Sequence, residues 1–232
     1  MKFAHPLIKA TLIRRYKRFL ADVRLSDGRE VTAHVANPGS MMGLIMEGQE
    51  VWLEQNNDPK RKLKYSWKLA CPSAGVFVNV DTGLPNKIVE QALVSGAVPE
   101  LTYTNLKREV PYSDNSRVDF LLTQDGRRDC YVEVKSATLM RQNGLVEFPD
   151  SVTKRGAKHM DDLAKMVGLG HRAVVLFCIC RTDAKAFQVA DDIDPTYNAA
   201  VQRAKSAGVE FLYYTTQITT SQITLGKALP LD

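Results

Sequence analysis

Arg117-Val118-Asp119-Phe120-Leu121-Leu122, followed after a Gly-bearing turn by Cys130-Tyr131-Val132-Glu133-Val134-Lys135-Ser136, is the stretch on which the fold turns. Both runs are apolar, rich in β-branched and aromatic residues, and bounded by Asp, Gly and Arg, the pattern of two strands joined as a hairpin. Side chains alternate faces along a strand, so Glu133 and Lys135 share one face while Val132 and Val134 take the other. The turn decides whether Asp119 joins the charged face. A loop centred on Gly126, such as Asp125-Gly126-Arg127 or the longer Gln124 to Arg128, pairs Thr123 with Asp129 and sets Asp119 opposite Glu133. A two-residue Asp125-Gly126 turn instead pairs Asp119 with Val132 and sends Glu133 to the opposite face. The first register is the expected one.

Two like charges directly across a strand pair are unfavourable unless a cation lies between them. Hard divalent cations take carboxylate oxygens in that arrangement, with a backbone carbonyl such as that of Val134 completing the shell. Asp119 and Glu133 are therefore candidate metal ligands, and Asp119, Glu133 and Lys135 the candidate catalytic set. The plainer alternative is an ion pair between Lys135 and one carboxylate, because a Glu-x-Lys triplet arises by chance in a chain of this length.

The 232 residues are enough for one large domain or two small ones with a real core. No apolar run approaches the roughly 20 residues that span a bilayer, and Met1-Lys2-Phe3-Ala4-His5-Pro6 lacks the pattern of a signal peptide. Cys71, Cys130, Cys178 and Cys180 sit in apolar, strand-like settings without a CxxC spacing, which favours buried reduced thiols in a cytoplasmic protein with no membrane partner. The net charge is +5, and its placement is uneven: residues 1–83 hold 13 Lys/Arg against 8 Asp/Glu, whereas residues 84–232 hold 18 of each. A polyanion-facing module in the first third is one reading; a solvated face is the other.

Residues 1–83 read as all-β. Thr11 to Leu25 is a long extended run, Ser26-Asp27-Gly28 a turn, Glu30 to Ala36 a returning strand, and Asn37-Pro38-Gly39-Ser40 a second turn. Glu50 to Glu54 and Ala74 to Val80 add strands, and about five strands in 80 residues suit a small OB-type barrel. Two stretches interleave cations with rings: Arg14, Arg15, Lys17 and Arg18 around Tyr16 and Phe19, and Lys60, Arg61, Lys62 and Lys64 ahead of Tyr65 and Trp67. Cations follow a phosphate backbone and rings stack on bases, so these eight side chains are candidate nucleic-acid contacts. Each ring alone is more simply a core residue of the barrel.

Leu84-Pro85-Asn86 marks the expected boundary between residues 1–83 and 84–232. Asn86 to Gly96 reads as a helix with Ile88, Val89, Ala92 and Leu93 on one face. A second helix starts near Phe148-Pro149-Asp150-Ser151, with Asp150 or Ser151 as N-cap, and Val152, Gly156, Met160, Leu163 and Val167 should pack on the sheet. Arg155, His159 and Asp162 fall on a different face, where Arg155 can hold a phosphate and His159 can relay a proton or contact DNA, a solvated face being the alternative. Ala173 to Cys180 is a continuous apolar strand, Asp194-Pro195 opens a third helix that Gly208 closes, and Val209 to Tyr214 is a strand. The second unit is thus α/β around a mixed sheet.

Three motifs carry a family resemblance: Arg117-Val118-Asp119-Phe120, Tyr131-Val132-Glu133-Val134-Lys135-Ser136, and Phe148-Pro149-Asp150-Ser151-Val152-Thr153-Lys154-Arg155-Gly156-Ala157-Lys158-His159. With Ala10 to Val23, they closely resemble the bacterial sugar fermentation stimulation protein A family over nearly the whole chain. The resemblance implies an N-terminal OB-like barrel plus a C-terminal PD-(D/E)xK nuclease-like domain. It also implies DNA binding without sequence preference, to single or double strands, and a link to maltose metabolism. It strengthens the metal-site reading of Asp119, Glu133 and Lys135, with Mg²⁺ or Mn²⁺ as the ion, and adds Glu90 on the first helix as a further ligand. The chain departs from the pattern at Val118, which replaces the Pro of the superfamily name. It departs again at Gln91 and at Pro38, which stands where the family usually has Thr and removes a hydroxyl and an N–H from that turn.

The expected function is a DNA-binding protein with a Mg²⁺-dependent phosphodiesterase site. A non-catalytic DNA-binding regulator linked to sugar metabolism, and a binder of single strands or RNA, are the alternatives.

Overall fold

The computed structural model describes residues 1–113 and 116–230. Strands β1 (Leu7–Tyr16), β2 (Leu20–Leu25), β3 (Glu30–Val35), β4 (Glu50–Gln55), β5 (Tyr65–Cys71) and β6 (Val78–Asn79) form one sheet in the order β3-β2-β1-β4-β5-β6. A parallel pairing of β3 with β5, from Ala33–Tyr65 to Val35–Trp67, closes the first five strands into a barrel. Alternation fills it: Val23, Ala33, Val35, Val51 and Leu53 point inward. Trp67 is fully buried at their centre and donates its ring N–H to the Leu69 carbonyl at 2.8 Å, so it is a core residue.

The run from Thr11 to Leu25 is not one strand. It folds back at Lys17-Arg18-Phe19, where Lys17 (φ 49°) and Arg18 (φ 63°) are left-handed. No Gly or Pro marks this turn in the sequence. Its anchor is a side chain instead: the Arg15 guanidinium donates to the Arg18 carbonyl at 2.8 Å.

The second unit comprises α1 (Leu84–Val94), β7 (Asn105–Ser113), β8 (Ser116–Thr123), β9 (Cys130–Ala137), β10 (Leu139–Gln142), β11 (Leu145–Phe148), α2 (Lys154–Gly168), β12 (Arg172–Ile179), β13 (Ala186–Val189), α3 (Pro195–Ser206), β14 (Glu210–Ile218) and β15 (Ile223–Ala228). Its main sheet has the order β15-β14-β12-β9-β8-β7, with β12 parallel to β9 and β14 and the other pairs antiparallel. Helix α1 covers one face through Ile88, Val89, Ala92 and Leu93; α2 and α3 cover the other through Met160, Leu163, Tyr197 and Val201. β12 is sandwiched between them and buried from Ala173 onward, which accounts for its unbroken apolar sequence. The small sheet β10-β11-β13 was not apparent from the sequence, its strands being only four residues each.

The hairpin β8–β9 pairs Phe120 with Val132, Leu121 with Tyr131 and Leu122 with Cys130. Extended by one step, this register places Asp119 opposite Glu133, although the paired rungs themselves end at Phe120–Val132; the longer turn through Gly126 is the one adopted.

The start of α2 differs from expectation. Thr153, not Asp150 or Ser151, is the N-cap, its hydroxyl accepting from the Gly156 N–H at 3.0 Å. Val152 precedes the helix and is 68% exposed, so it does not pack on the sheet. Asp194 caps α3 as expected and also accepts from the Thr153 N–H at 2.7 Å, tying the two helix starts together. All four cysteines are free; Cys71 is half-buried rather than buried. Among the described residues, no helix is long and apolar enough to cross a membrane.

Asp150 is drawn away from the helix by the barrel. Its carboxylate accepts from the Met41 N–H at 3.2 Å, and its carbonyl accepts from the Ser40 hydroxyl at 2.9 Å. Gly39 makes this approach possible, since a Cβ there would lie 2.4 Å from Asp150 Oδ2. Further along, the Asn79 N–H donates to the Cys180 carbonyl at 2.9 Å, so the two units are hydrogen-bonded there as well.

Gly39→Ala is expected to destabilise the protein by about 1–3 kcal/mol through this overlap. Adding Asp150→Ala should relieve most of that cost, so denaturant melts of the two single variants and the double variant will be strongly non-additive. Additive losses would show that Gly39 and Asp150 do not meet.

Candidate metal centre

Glu133 is 3% exposed and turned toward α2, the face expected from its place beside Lys135. One of its oxygens is heavily engaged. Oε1 accepts from Lys135 Nζ at 2.7 Å and meets His159 Nδ1, while Lys135 Nζ lies 3.4 Å from the same ring nitrogen. The other oxygen, Oε2, is buried and has no hydrogen-bond partner among the described residues. Burial works to raise the pKa of this carboxyl, but the Lys135 charge and the bond to His159 outweigh it and hold the group below its ordinary value.

Asp119 reaches the site differently. Its Oδ2 accepts from the Val134 backbone N–H at 2.7 Å, and its Oδ1 accepts from the Asn86 amide at 2.7 Å. A side chain thus occupies a ladder position at the point where the paired rungs of β8 and β9 end. Burial first, and the Glu133 charge second, push its pKa up to about 6. The two carboxyls are therefore unequal: Glu133 is ionised and Asp119 resists ionisation beside it.

An acceptor oxygen with no donor, buried beside a second carboxylate with a raised pKa, is the setting a hard divalent cation relieves. The donor set is all oxygen, which suits Mg²⁺, Mn²⁺ or Ca²⁺ and not a soft metal. Among the described residues no third carboxylate, His or Cys gathers with these two into a ready-made cluster. Glu90 lies one helical turn from Asn86, but its carboxylate is paired with Arg108 at 2.8 Å. The α1 side chain that meets Asp119 is Asn86.

His159 is a correction. It is 4% exposed and held by Glu133, so it faces the carboxylate and not a nucleic-acid partner. Asp162 is buried too, accepting from Ser116 Oγ at 2.9 Å and Lys158 Nζ at 2.6 Å; only Arg155 of the three lies exposed. The spacing could not show that His159 and Asp162 turn toward the sheet while Arg155 stays exposed. Tyr112 and Tyr197 were missed altogether. Their hydroxyls are buried without partners among the described residues, and burial, with the Glu133 charge, pushes both phenols upward. Neither tyrosine carries a sequence signal, because β7 and α3 are remote in the chain from Glu133.

The basic stretches divide. Arg15 is a correction: its guanidinium donates to the carbonyls of Arg18, Asn37, Gly39 and Ser40 and so builds the barrel rim instead of facing outward. Arg14 is exposed but pairs with Asp22 and stacks over Tyr16 at 5.0 Å. Lys17, Arg18, Lys60, Lys62 and Lys64 are exposed, and Arg61 is half-buried with a bond to Ser66 Oγ. Phe19 is 45% exposed and no part of the core.

A cleft of about 350 Å³ separates the barrel rim from this centre. Lys135 and Ser136 line it on one side, Arg18, Pro38 and Gly39 on another, and Asp150 also borders it. A larger groove of about 1030 Å³ runs along the outer side of α2 past Lys154, Lys158 and Lys165, and Asp119, Glu133 and Lys135 do not line it.

This arrangement has relatives. Residues 13–80 match the SfsA N-terminal OB domain, and residues 83–222 match the sugar fermentation stimulation protein RE domain. The sugar fermentation stimulation protein homolog of Ruegeria sp. (strain TM1040) is 55% identical over 99% of this chain and 100% of its own length. That of Ruegeria pomeroyi is 54% identical over the same shares. SfsA of Pyrococcus furiosus, solved in complex with Ca²⁺, superposes with a TM-score of 0.88 at 26% identity, covering 100% of this chain and 98% of its own. The chain belongs to the sugar fermentation stimulation protein family.

Proposed function

We propose that this protein binds DNA and hydrolyses its phosphodiester bonds at a divalent-metal centre held by Asp119 and Glu133. The carrying observation is the asymmetry of Glu133: Oε1 is fixed by Lys135 and His159, while the buried Oε2 has no partner among the described residues. The Ca²⁺ in the Pyrococcus furiosus relative supports a hard cation, and Mg²⁺ or Mn²⁺ is the ion proposed here. When bound, such an ion supplies Lewis acidity toward a phosphoryl oxygen and toward water.

The protein's own groups do the rest. Asn86 and the Val134 N–H fix the Asp119 carboxylate from two sides. His159 and Lys135 fix Glu133, so that only Oε2 remains to be shared. Lys135, 13% exposed at its side chain and lining the cleft, is the cation available to stabilise charge growing on a phosphate held there. Arg18, Lys17, Lys60, Lys62 and Lys64 add affinity through phosphate neutralisation, with Arg14, Arg61 and Arg155 as weaker contributors.

Plasmid cleavage with Mg²⁺ or Mn²⁺ tests the reading. Wild type should nick or degrade the DNA, and Asp119→Asn and Lys135→Ala should lose about 100-fold or more in rate while retaining binding. A wild type inactive with every metal would favour the regulator linked to maltose metabolism.

The raised pKa of Asp119 gives a second test. A folded-state value of about 6 against an ordinary 3.8 means that its contribution to stability is complete below about pH 4. That contribution is lost as pH rises through about 6, and amounts to about 3 kcal/mol. In metal-free protein, Asp119→Asn should therefore raise the melting temperature at pH 8 and leave it nearly unchanged at pH 4. Mn²⁺ should stabilise wild type more at pH 8 than at pH 5, and should not stabilise the variant. Equal stabilisation of both proteins would place the ion elsewhere.

The exposed lysines predict a salt signature. Replacing Lys60, Lys62 and Lys64 together by Ala should reduce the slope of log K against log salt by about 3 for duplex DNA. Arg15→Ala, by contrast, should lower thermal stability because its donors hold the barrel rim. An unchanged slope in the triple variant would remove that loop from the interface.

A further inference from the structure

We propose that the cleft between the barrel rim and Lys135 accepts a single unpaired nucleic-acid strand, with Phe19, the neighbour of the lining residue Arg18, as a stacking surface. The phosphate end of this proposal rests on the metal-centre reading above; the shape of the cleft and the exposure of its rim are separate observations.

The cleft is bridged at one end. Gly39 meets Asp150 there so closely that a Cβ would lie 2.4 Å from the carboxylate, and Ser40 and Met41 hydrogen-bond to the same residue. What remains is about 350 Å³, the lower end of the range for small-molecule pockets. One nucleotide suits that space, whereas a base pair with both backbones does not. A nucleotide seated wholly in the cleft, base included, must therefore come from an unpaired strand.

The charges of the cleft fit a polyanion. Two carboxylates line it, but both are occupied: Glu147 is bound by Arg141 at 2.6 Å and Gln188 at 2.9 Å, and Asp150 by Met41 and Ser40. The cations facing it are Lys135 and Arg18, the latter steadied by the Pro38 carbonyl at 3.1 Å.

Two apolar side chains in this region are exposed. Phe19 is 45% exposed, and the Arg18 guanidinium lies 6.0 Å from its ring centroid. On the opposite unit Val152, 68% exposed, lines the cleft itself. A ring beside a cation stacks on an unpaired base whatever its identity, while the adjacent guanidinium takes the neighbouring phosphate. A closed duplex hides the base faces that Phe19 would need.

Fluorescence anisotropy in EDTA, which holds metal-dependent cleavage off, tests this. The probes are a labelled oligothymidylate, a blunt duplex of equal length and a duplex with a single-stranded tail. The oligothymidylate and the tailed duplex should bind about 10-fold or more tighter than the blunt duplex. Phe19→Ala, a surface change whose folding is checked by its melting temperature, should weaken single-strand binding about 5- to 100-fold and leave the blunt duplex within about twofold. Blunt duplex binding as tight as single strand, or an equal loss on both in Phe19→Ala, overturns the proposal. Asp119→Asn should keep the strand preference in full, so a failed cleavage assay and a failed strand preference are told apart.

Discussion

An amide in the interior of a sheet normally bonds to the carbonyl of the next strand. At Val134 the Asp119 carboxylate takes that role. The recorded rungs of β8 and β9 stop at Phe120 and Val132, and the chain beyond needs another acceptor for the amide. A buried amide without one costs about 1–3 kcal/mol, so the acid and the parting of the strands depend on each other. That parting brings the α1 residue Asn86 into contact with a side chain of the sheet. It also leaves Glu133, one rung further, facing His159 on α2. The centre and the architecture are consequences of the same irregularity.

Much of this was legible in the residues. The residues left two registers open for the hairpin, both turning at Gly126, and the one chosen, with Thr123 facing Asp129, is the one the paired rungs follow. The unbroken apolar run of β12 announced a strand covered on both faces, and the spacing of β-segments announced the barrel. What escaped lay in long-range contacts. The turn at Lys17-Arg18-Phe19 has no local signal, because it is held by Arg15 reaching across to several carbonyls. Asp150 looks like a helix cap from its neighbours, yet a barrel turn more than a hundred residues away claims it. His159 sits at a polar-looking helix position, and only the packing of α2 on the sheet turns it inward.

The same packing sets the balance of charge. Glu133 is ionised in a nearly closed setting because a lysine on its own strand and a histidine on the facing helix both meet one oxygen. Asp119 has only neutral donors, an amide N–H and an asparagine, and so yields to the charge beside it. Two chemically similar acids thus behave differently for reasons of neighbourhood alone. The fold keeps a locally unfavourable arrangement because Asn86 of α1 and His159 of α2 hold the two acids from separate helices.

Residues 1–3 run alongside the last strand: the Phe3 N–H donates to the Ser221 carbonyl at 3.2 Å, and the Ile223 N–H to the Met1 carbonyl at 2.8 Å. During synthesis residues 1–3 must therefore wait for residues 221–223 before they find their mates. A ribosome-bound chain can close its barrel early, since those strands pair among themselves, but the seam between leading and trailing segments can form only after some 220 residues have been translated. Such remote pairing slows folding relative to the pairing of neighbouring barrel strands.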